Sequence, residues 1–351
     1  MAEPPWDVVI CGASFAGLMT ARALRGHRVL VVDRHPVGDH QTSACGAPLA
    51  VLEELGLGAA VEQVHDTFVL HTGRRTIEYR LPYPFCTFDY RTLCRELAAQ
   101  TDAEVRQATV RGREGNAVVT TDGDALPARQ LVDAAGFRRV LGRGGPRPIR
   151  PWDGLSYGIE TPAPSTERGL HFYVGRDVVA DGFGWAFPAG AATRAGLGAY
   201  GPKRPLKEPL DRFLARERFA RRSLHGNHIP HQLRAPVDDG VVFVGDAAGQ
   251  VLPTTAEGIR PALYFAAAAG RLIAEALEGQ HSLADARARY AAFVAEHVRH
   301  FRRLGRAQRV LAAVPDPMLR PLALALARPR VFDRLMGRYW RMAPPDVLAS
   351  A

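Results

Sequence analysis

Length, composition and charge place the chain among ordinary globular proteins. It has 351 residues, of which 47% are hydrophobic and 23% charged, and these values exclude disordered and fibrous classes. The length allows one large domain or two closely packed ones. The net charge is +9, but all except two of the basic residues are arginine, a bias typical of GC-rich coding. We therefore expect no nucleic-acid partner.

Nothing in the sequence predicts a secretory signal or a membrane span. The first residues lack a basic stretch followed by an apolar one. The longest apolar run, 263–270, is far shorter than the roughly 20 residues that a span needs. Four cysteines fit no zinc-binding spacing and indicate reduced thiols. We expect a soluble cytoplasmic protein.

The first elements predict one βαβ unit. An apolar run at 7–11 indicates a buried strand, and a glycine turn leads into a helix over 18–25. A second apolar run at 28–32 indicates the next strand, which Asp33 closes. This order is typical of a doubly wound parallel sheet.

Further elements follow in a mixed order. The patterns predict a strand hairpin over 64–88, a helix over 90–100, strands over 117–121 and 130–133, an antiparallel sheet from Trp152 to 200, a strand over 241–244, a helix over 259–277, and helices beyond 281. A β-rich region thus interrupts the parallel-sheet domain twice.

The turn after the first strand has the spacing of a dinucleotide-binding motif, Gly12-x-Ser14-x-x-Gly17. Such a motif needs a tight turn, close backbone approach to a pyrophosphate, and close packing of helix on strand. The pyrophosphate would lie at the helix N-terminus, where free N–H groups favour anions. Asp33 lies 21 residues after Gly12, where a carboxylate would meet ribose hydroxyls.

A second motif indicates which dinucleotide binds. Gly245-Asp246 follows the late buried strand, with Pro253 and Gly258 before a helix. This resembles the Gly-Asp signature of FAD-dependent oxidoreductases built like the aromatic hydroxylases, in which the aspartate binds a ribityl hydroxyl. Arg91 resembles the arginine that these flavoproteins place near the cofactor phosphates. FAD is therefore the predicted cofactor.

The resemblance implies a discontinuous α/β architecture: a Rossmann-like FAD domain with a parallel sheet (1–63, 87–149 and 236–280), an interleaved antiparallel β-rich substrate domain (64–86 and 150–235), and a C-terminal helical region (281–351). The residues expected at the cofactor are Gly12, Ser14, Phe15, Ala16, Gly17, Asp33, Arg34, Cys45, Gly46, Ala47, Arg91, Val110, Gly245, Asp246, Pro253, Gly258 and Ile259.

Two further segments resemble the geranylgeranyl reductase family. One is Phe183-Gly184-Trp185-Ala186-Phe187-Pro188 with Gly196-Leu197-Gly198, and the other is Cys45-Gly46. The family implies reduction of isolated C=C bonds in long prenyl chains by reduced FAD. Phe183, Trp185, Phe187 and Pro188 would line the substrate cavity, where an aromatic wall suits a ligand that offers only apolar area.

Reduction of an alkene needs a hydride for one carbon and a proton for the other. Cys45 is a candidate proton source, and water or the flavin itself are alternatives.

A flavin monooxygenase or dehydrogenase that acts on a bulky apolar secondary metabolite is the alternative function. A flavin-binding protein without catalysis is a third reading. The electron donor is either NAD(P)H or an acidic ferredoxin or flavodoxin, which a basic protein would attract.

Two remaining patterns concern a metal and a membrane as further partners. The first pattern is a set of three histidines at 225, 228 and 231. It predicts no metal site, because Pro230 interrupts any helix and no acidic or thiol ligand completes the set. We expect a loop there.

The second pattern lies in the C-terminal tail and is that of an amphipathic helix. Apolar residues at near-helical spacing (Val298, Phe301, Leu304 and Leu311) lie among five arginines: Arg299, Arg302, Arg303, Arg306 and Arg309. This helix would either pack on the FAD domain or rest on the inner membrane face.

Overall fold

A computed structural model describes residues 5–41, 43–73, 75–145, 154–164, 168–200 and 205–349 of the chain; Trp152 lies outside them. The strands are β1 Trp6–Cys11, β2 Val29–Asp33, β3 Gly46–Pro48, β4 Val61–Thr72, β5 Arg75–Phe88, β6 Glu104–Gln107, β7 Val110–Glu114, β8 Ala117–Thr120, β9 Ala125–Asp133, β10 Leu155–Pro164, β11 Leu170–Val174, β12 Gly182–Ala189, β13 Ala192–Tyr200, β14 His225–Pro230, β15 Val237–Asp238 and β16 Val241–Phe243.

The α-helices are α1 Phe15–Arg22, α2 Leu49–Glu54, α3 Tyr90–Ala99, α4 Lys207–Arg216, α5 Ile259–Leu277, α6 Leu283–Ala313, α7 Asp316–Leu326, α8 Pro329–Trp340 and α9 Asp346–Ala349. Short 3₁₀ turns occur at Gly58–Ala60 and Gly245–Ala248.

Sheet A contains the predicted parallel sheet. Its strands run in the order β15-β16-β9-β1-β2-β6, with β8 and β7 continuing from β9. The pairs β1–β2, β1–β9, β2–β6 and β9–β16 are parallel. Residues 8–11 of β1 are fully buried, as expected for a strand with covered faces. The Rossmann-like prediction is confirmed.

Sheet B is the β-rich layer, in the order β14-β10-β13-β12-β11-β4-β5-β3. Its described pairs are antiparallel except β4–β11, which is parallel and joins the β4–β5 hairpin to the rest of the layer. β3, predicted within the FAD part, also pairs into this sheet. The domain boundaries themselves stay a prediction.

The segment expected to be a loop around His225 is instead an edge strand. β14 pairs antiparallel with β10 over six residues. A Cβ at Gly226 would lie 2.4 Å from the Gly158 oxygen, so glycine permits the close approach of the two strands. This correction places His225 beside the buried face of the sheet, directly opposite Glu160.

The C-terminal helices form a third layer. α6 spans 31 residues, or about 46 Å at 1.5 Å per residue. α7 and α8 lie on the β4–β5 hairpin, where the Tyr79 hydroxyl donates to the Ala323 carbonyl (2.9 Å) and the Tyr83 hydroxyl donates to that of Met336 (3.3 Å). Among the described residues, no helix is both long and apolar enough to cross a bilayer.

A buried arginine attaches this helical layer to the start of α5. Arg260, in the first turn of α5, has no solvent exposure. Its guanidinium pairs with Glu257 through two bonds of 2.8 and 2.7 Å, and it donates to the carbonyls of Trp340 (3.1 Å) and Ala343 (2.8 Å). Because an unpaired buried charge is strongly destabilising, these partners are needed together.

We expect Glu257→Gln to lower the free energy of unfolding by about 3–5 kcal/mol, because it leaves the Arg260 charge buried without its counter-ion. Thermal unfolding and limited proteolysis of the C-terminal helices would measure the effect. Glu208→Gln, which breaks the exposed Glu208–Arg212 pair, is the control and should change little. Equal stability of the two variants would contradict the role assigned to the buried pair.

Candidate functional site

A continuous cavity of about 2270 Å³ is lined by both sheets and by α6, α7 and α8. Drug-sized ligand pockets are about 300–1000 Å³, so this cavity has room for a dinucleotide and a second large ligand. Its two ends differ in chemistry: the cofactor end is built from backbone turns and carboxylates, and the apolar end mainly from aromatic and aliphatic side chains, with some charged residues beside them.

The glycines of the first motif are explained by close contacts between backbones. A Cβ at Gly12 would lie 2.4 Å from the Ala134 carbonyl oxygen, and one at Gly17 would lie 1.8 Å from the Gly12 oxygen. Gly12 also has a φ of +110°, which side chains disfavour. The turn therefore packs α1 tightly against the ends of β1 and β9.

The N-terminus of α1 is open to the cavity. Its N-cap residue, Ser14, makes no side-chain cap and the first turn carries no acidic residue. Instead, the Ser14 hydroxyl accepts a hydrogen bond from Tyr90 (3.0 Å). Ser14, Phe15 and Ala16 line the cavity, so unused N–H groups and the helix dipole are available to an anion such as a pyrophosphate.

Asp33 shapes this turn as well as lining the cavity. Its Oδ2 accepts from the Ala13 amide and its Oδ1 accepts from that of His35, both at 2.8 Å. Each oxygen keeps a further lone pair for a ribose hydroxyl. Arg34 and Val110 lie on the same wall.

Asp246 lines the cavity at the Gly245–Ala248 turn. Within the described part of the chain, its carboxylate has no hydrogen-bond partner, and burial raises its pKa to about 6, opposed by the charge of Arg234. α5 begins nearby at Ile259 without a side-chain cap, which gives the cavity a second open helix N-terminus. An unpaired acceptor and two such helix ends fit FAD.

Several predicted cofactor residues do not line the cavity. Gly17, Ala47 and Pro253 are buried behind its wall. Arg91 is 55% exposed and pairs with Asp39 at 3.2 Å; its proposed contact with the cofactor phosphates stays a prediction.

Cys45 is a buried thiol on the cavity wall. It has a φ of +53° and zero exposure, and its Sγ donates to the Ser43 carbonyl (3.2 Å). Burial raises the pKa of this thiol well above its usual range. Gly46 lies next to it on the same wall. Cys45 is therefore a protonated thiol, and its catalytic role stays a prediction.

The apolar end contains the predicted aromatic residues and others that the sequence did not indicate. Phe183, Trp185 and Phe187 line it, whereas Pro188 lies behind them, where its carbonyl accepts from Thr87 (2.6 Å). The unexpected lining residues come from sheet B and from the C-terminal helices: Phe68, Leu70, Phe172, Leu319, Leu322, Leu326, Phe332, Leu335 and Met336.

The glycines of the aromatic signature make room for the Trp185 indole. A Cβ at Gly196 would lie 2.4 Å from the indole ring, so the ring lies across β13 and reaches β10. There its N–H donates to Oε2 of Glu160 at 2.9 Å. The sequence did not indicate Glu160; an isolated acid within an otherwise apolar strand was the available signal.

Comparison with known proteins agrees with this geometry. A family model described as FAD dependent oxidoreductase matches residues 7–78. The fold and the site together define an FAD-dependent oxidoreductase, and the prediction of FAD as cofactor is confirmed.

Individual similar proteins extend over much more of the chain than the family model does. The chain is 26% identical to the digeranylgeranylglycerophospholipid reductase of Methanospirillum hungatei, over 78% of this chain and 77% of that protein. A geranylgeranyl bacteriochlorophyll reductase-like structure from Thermoplasma acidophilum covers 98% of both chains with a TM-score of 0.84 and 20% identity. A flavin-dependent brominase covers 99% of this chain and 94% of its own, with a TM-score of 0.72 and 15% identity. These two structures show the fold alone.

The predicted resemblance to geranylgeranyl reductases is thereby confirmed as a similarity that extends over most of the chain.

Asp246 provides a test of the cofactor site in which stability and binding move in opposite directions. An aspartate in the unfolded chain titrates near pH 4, so the folded, cofactor-free protein binds this proton more tightly. The ionised carboxylate therefore costs stability above about pH 6, and the cost vanishes as the pH falls below about 4. We expect Asp246→Asn to raise the melting temperature at pH 8 and to leave it unchanged at pH 4.

FAD affinity of the same variant should fall about 10- to 100-fold, because a charged hydrogen-bond acceptor is lost. Fluorescence titration of cofactor-free protein with FAD measures this. Asp122→Asn, at an exposed turn, is the control. Lower stability at pH 8 together with undiminished FAD affinity would contradict the assignment.

Proposed function

We propose that this protein reduces C=C bonds in a prenyl-type chain, using reduced FAD. The observation that carries the proposal is the continuity of the cavity, which joins the FAD-binding turns to the apolar end without a break in its lining. The names of the relatives support the same substrate class.

The apolar end suits a long hydrocarbon. Its walls are the aromatic residues of sheet B on one side and α7 and α8 on the other. Phe172 packs against both Phe68 (4.6 Å between ring centroids) and Phe187 (5.1 Å). These three rings therefore form one packed aromatic surface. Such a surface recognises a prenyl chain by area and shape and keeps water from the reacting bond.

When bound and reduced, FAD supplies a hydride. The chain's own contribution is to hold the cofactor by Asp33, Asp246 and the two open helix N-termini, to align the prenyl chain, and to provide a proton at the second carbon.

A reaction of this kind can be followed without oxygen. Dithionite reduces the bound flavin under anaerobic conditions, and geranylgeranyl diphosphate is then added. We expect the flavin to reoxidise and the product to be heavier by two hydrogen atoms. Saturated phytanyl-type chains are the control and should leave the flavin reduced. If the flavin stays reduced until air enters and then reoxidises through a transient peroxyflavin band, the alternative of a monooxygenase that acts on a bulky apolar metabolite is favoured.

We also propose that the C-terminal helices contact an anionic membrane. Residues 297–341 contain 11 arginines and two aspartates, and so account for the whole net charge of +9. None of these arginines has an ion pair among the described residues. Five large exposed apolar residues lie in the same helices: Val310, Met318, Leu324, Val331 and Leu335.

The cavity is continuous with this surface, because Leu335 both lines the cavity and is 42% exposed. Basic side chains with exposed apolar neighbours match the interface of an anionic bilayer. A lipid substrate would then pass from the bilayer into the apolar end without crossing water.

Vesicle sedimentation tests this surface. We expect binding to phosphatidylglycerol vesicles, little binding to phosphatidylcholine vesicles, and release at high salt. Arg334→Glu should weaken binding about tenfold, whereas Arg289→Glu, an equal change of charge earlier on α6, should not. If vesicles do not bind and Arg334→Glu instead slows reduction by a flavodoxin, the surface receives an acidic electron donor.

A further inference from the structure

A buried carboxylate lines the cavity beside the aromatic residues of β12. Glu160 is only 3% exposed and lines the cavity together with His225. Its Oε1 is 2.7 Å from Nε2 of His225, and its Oε2 accepts from the Trp185 indole. Among the described residues, the carboxylate has no arginine or lysine partner.

Strand register brings these residues into one row across sheet B. Trp185 on β12 is opposite Gly196 on β13, Gly196 is opposite Glu160 on β10, and Glu160 is opposite His225 on β14. Because directly opposed residues share a face of a sheet, the row lies on the side that faces the cavity. The missing side chain at Gly196 lets the indole bridge the gap.

A buried acid in an apolar wall is costly unless its partners are fixed. Both oxygens of Glu160 are used, one by each neighbour, so the carboxylate holds the imidazole in one orientation. Nδ1 of His225 has no partner within the described part of the chain, and 27% of the side chain is exposed. The imidazole can therefore exchange protons with water while it borders the cavity.

Cys45 also lies close to Glu160, but its thiol holds its proton tightly. Burial raises the pKa of its thiol, and the charge of Glu160 raises it further against the opposing charge of Arg194. An effective general acid titrates near the working pH. A thiol that holds its proton so tightly is a poor donor to an alkene carbon.

We propose that His225 donates the proton in alkene reduction, with Glu160 and Trp185 as its positioning residues; this inference rests on the proposed function. One carbon of the C=C bond accepts the hydride that FAD supplies. The other takes the proton from Nδ1 as the π bond breaks, and the neutral imidazole recovers a proton from water.

The test compares His225→Gln with Cys45→Ala in anaerobic single turnovers of the reduced holoenzyme with geranylgeranyl diphosphate. The glutamine amide can still donate to Glu160 but carries no acidic proton. We expect His225→Gln to slow flavin reoxidation about 100-fold or more, and Cys45→Ala, which alters the cavity wall but leaves the imidazole in place, to slow it far less.

Binding provides the readout that is independent of turnover. The dissociation constant of the substrate for the oxidised holoenzyme, and the indole N–H resonance of Trp185 in cofactor-free protein, should be unchanged in His225→Gln. Glu160→Gln should shift that resonance and slow turnover less than the loss of His225 does. Weakened binding that accounts for the whole rate loss would overturn the proposal in favour of a structural role.

A second variant distinguishes loss of the acid group from misfolding of the protein. His225→Ala should recover turnover when free imidazole is added, because the missing acid is restored, whereas Cys45→Ala should gain nothing. Near-normal turnover by His225→Gln, or no recovery with imidazole, would overturn the role of His225 alone. Failure of the wild-type enzyme to reduce any prenyl chain would overturn the proposed function and this inference with it.

Discussion

The buried ion pair between Arg260 and Glu257 is the interaction on which the cavity depends. It joins the start of α5, next to the cofactor turns, to the carbonyls that follow α8. The adjacent Thr254 adds a second attachment, because its amide donates to Gln308 and its hydroxyl to the Leu304 carbonyl on α6. Without these contacts, α7 and α8 would lose their anchor to the start of α5. The apolar wall that they provide would then be lost, and the cofactor pocket would remain without the apolar end of the cavity.

The two ends of the cavity are stabilised differently because they suit opposite kinds of ligand. At the cofactor end the protein keeps hydrogen-bonding groups unsatisfied: two helix N-termini and the Asp246 carboxylate, whose pKa burial raises. These groups weaken the empty protein and strengthen the complex. At the other end, aromatic and aliphatic side chains pack against each other, and binding there draws on burial of apolar area. The excess positive charge is carried by the C-terminal segment, and some of its arginines, such as Arg303 and Arg338, line the cavity.

The aromatic signature has a structural explanation that its sequence does not reveal. The glycine opposite Trp185 exists because the indole occupies the space of its side chain. The indole then holds Glu160, and Glu160 holds His225. Four strands therefore cooperate to keep one carboxylate and one imidazole in a fixed place beside an apolar cavity. A substitution at the glycine would act at a distance, by displacing the indole from the carboxylate.

The sequence by itself determined the parts of this protein that rest on local patterns. The βαβ unit, the glycine turn with Asp33, the Gly245-Asp246 turn and the full extent of α5 all follow from short-range spacing, because strand, turn and helix signals lie within a few residues of each other. Only the tertiary structure decided that the segment at His225 is a strand, that Glu160 faces the cavity, and that α7 and α8 form its wall. Each of these depends on pairing between residues far apart in the chain, and no local pattern records which strand or helix face a residue will meet.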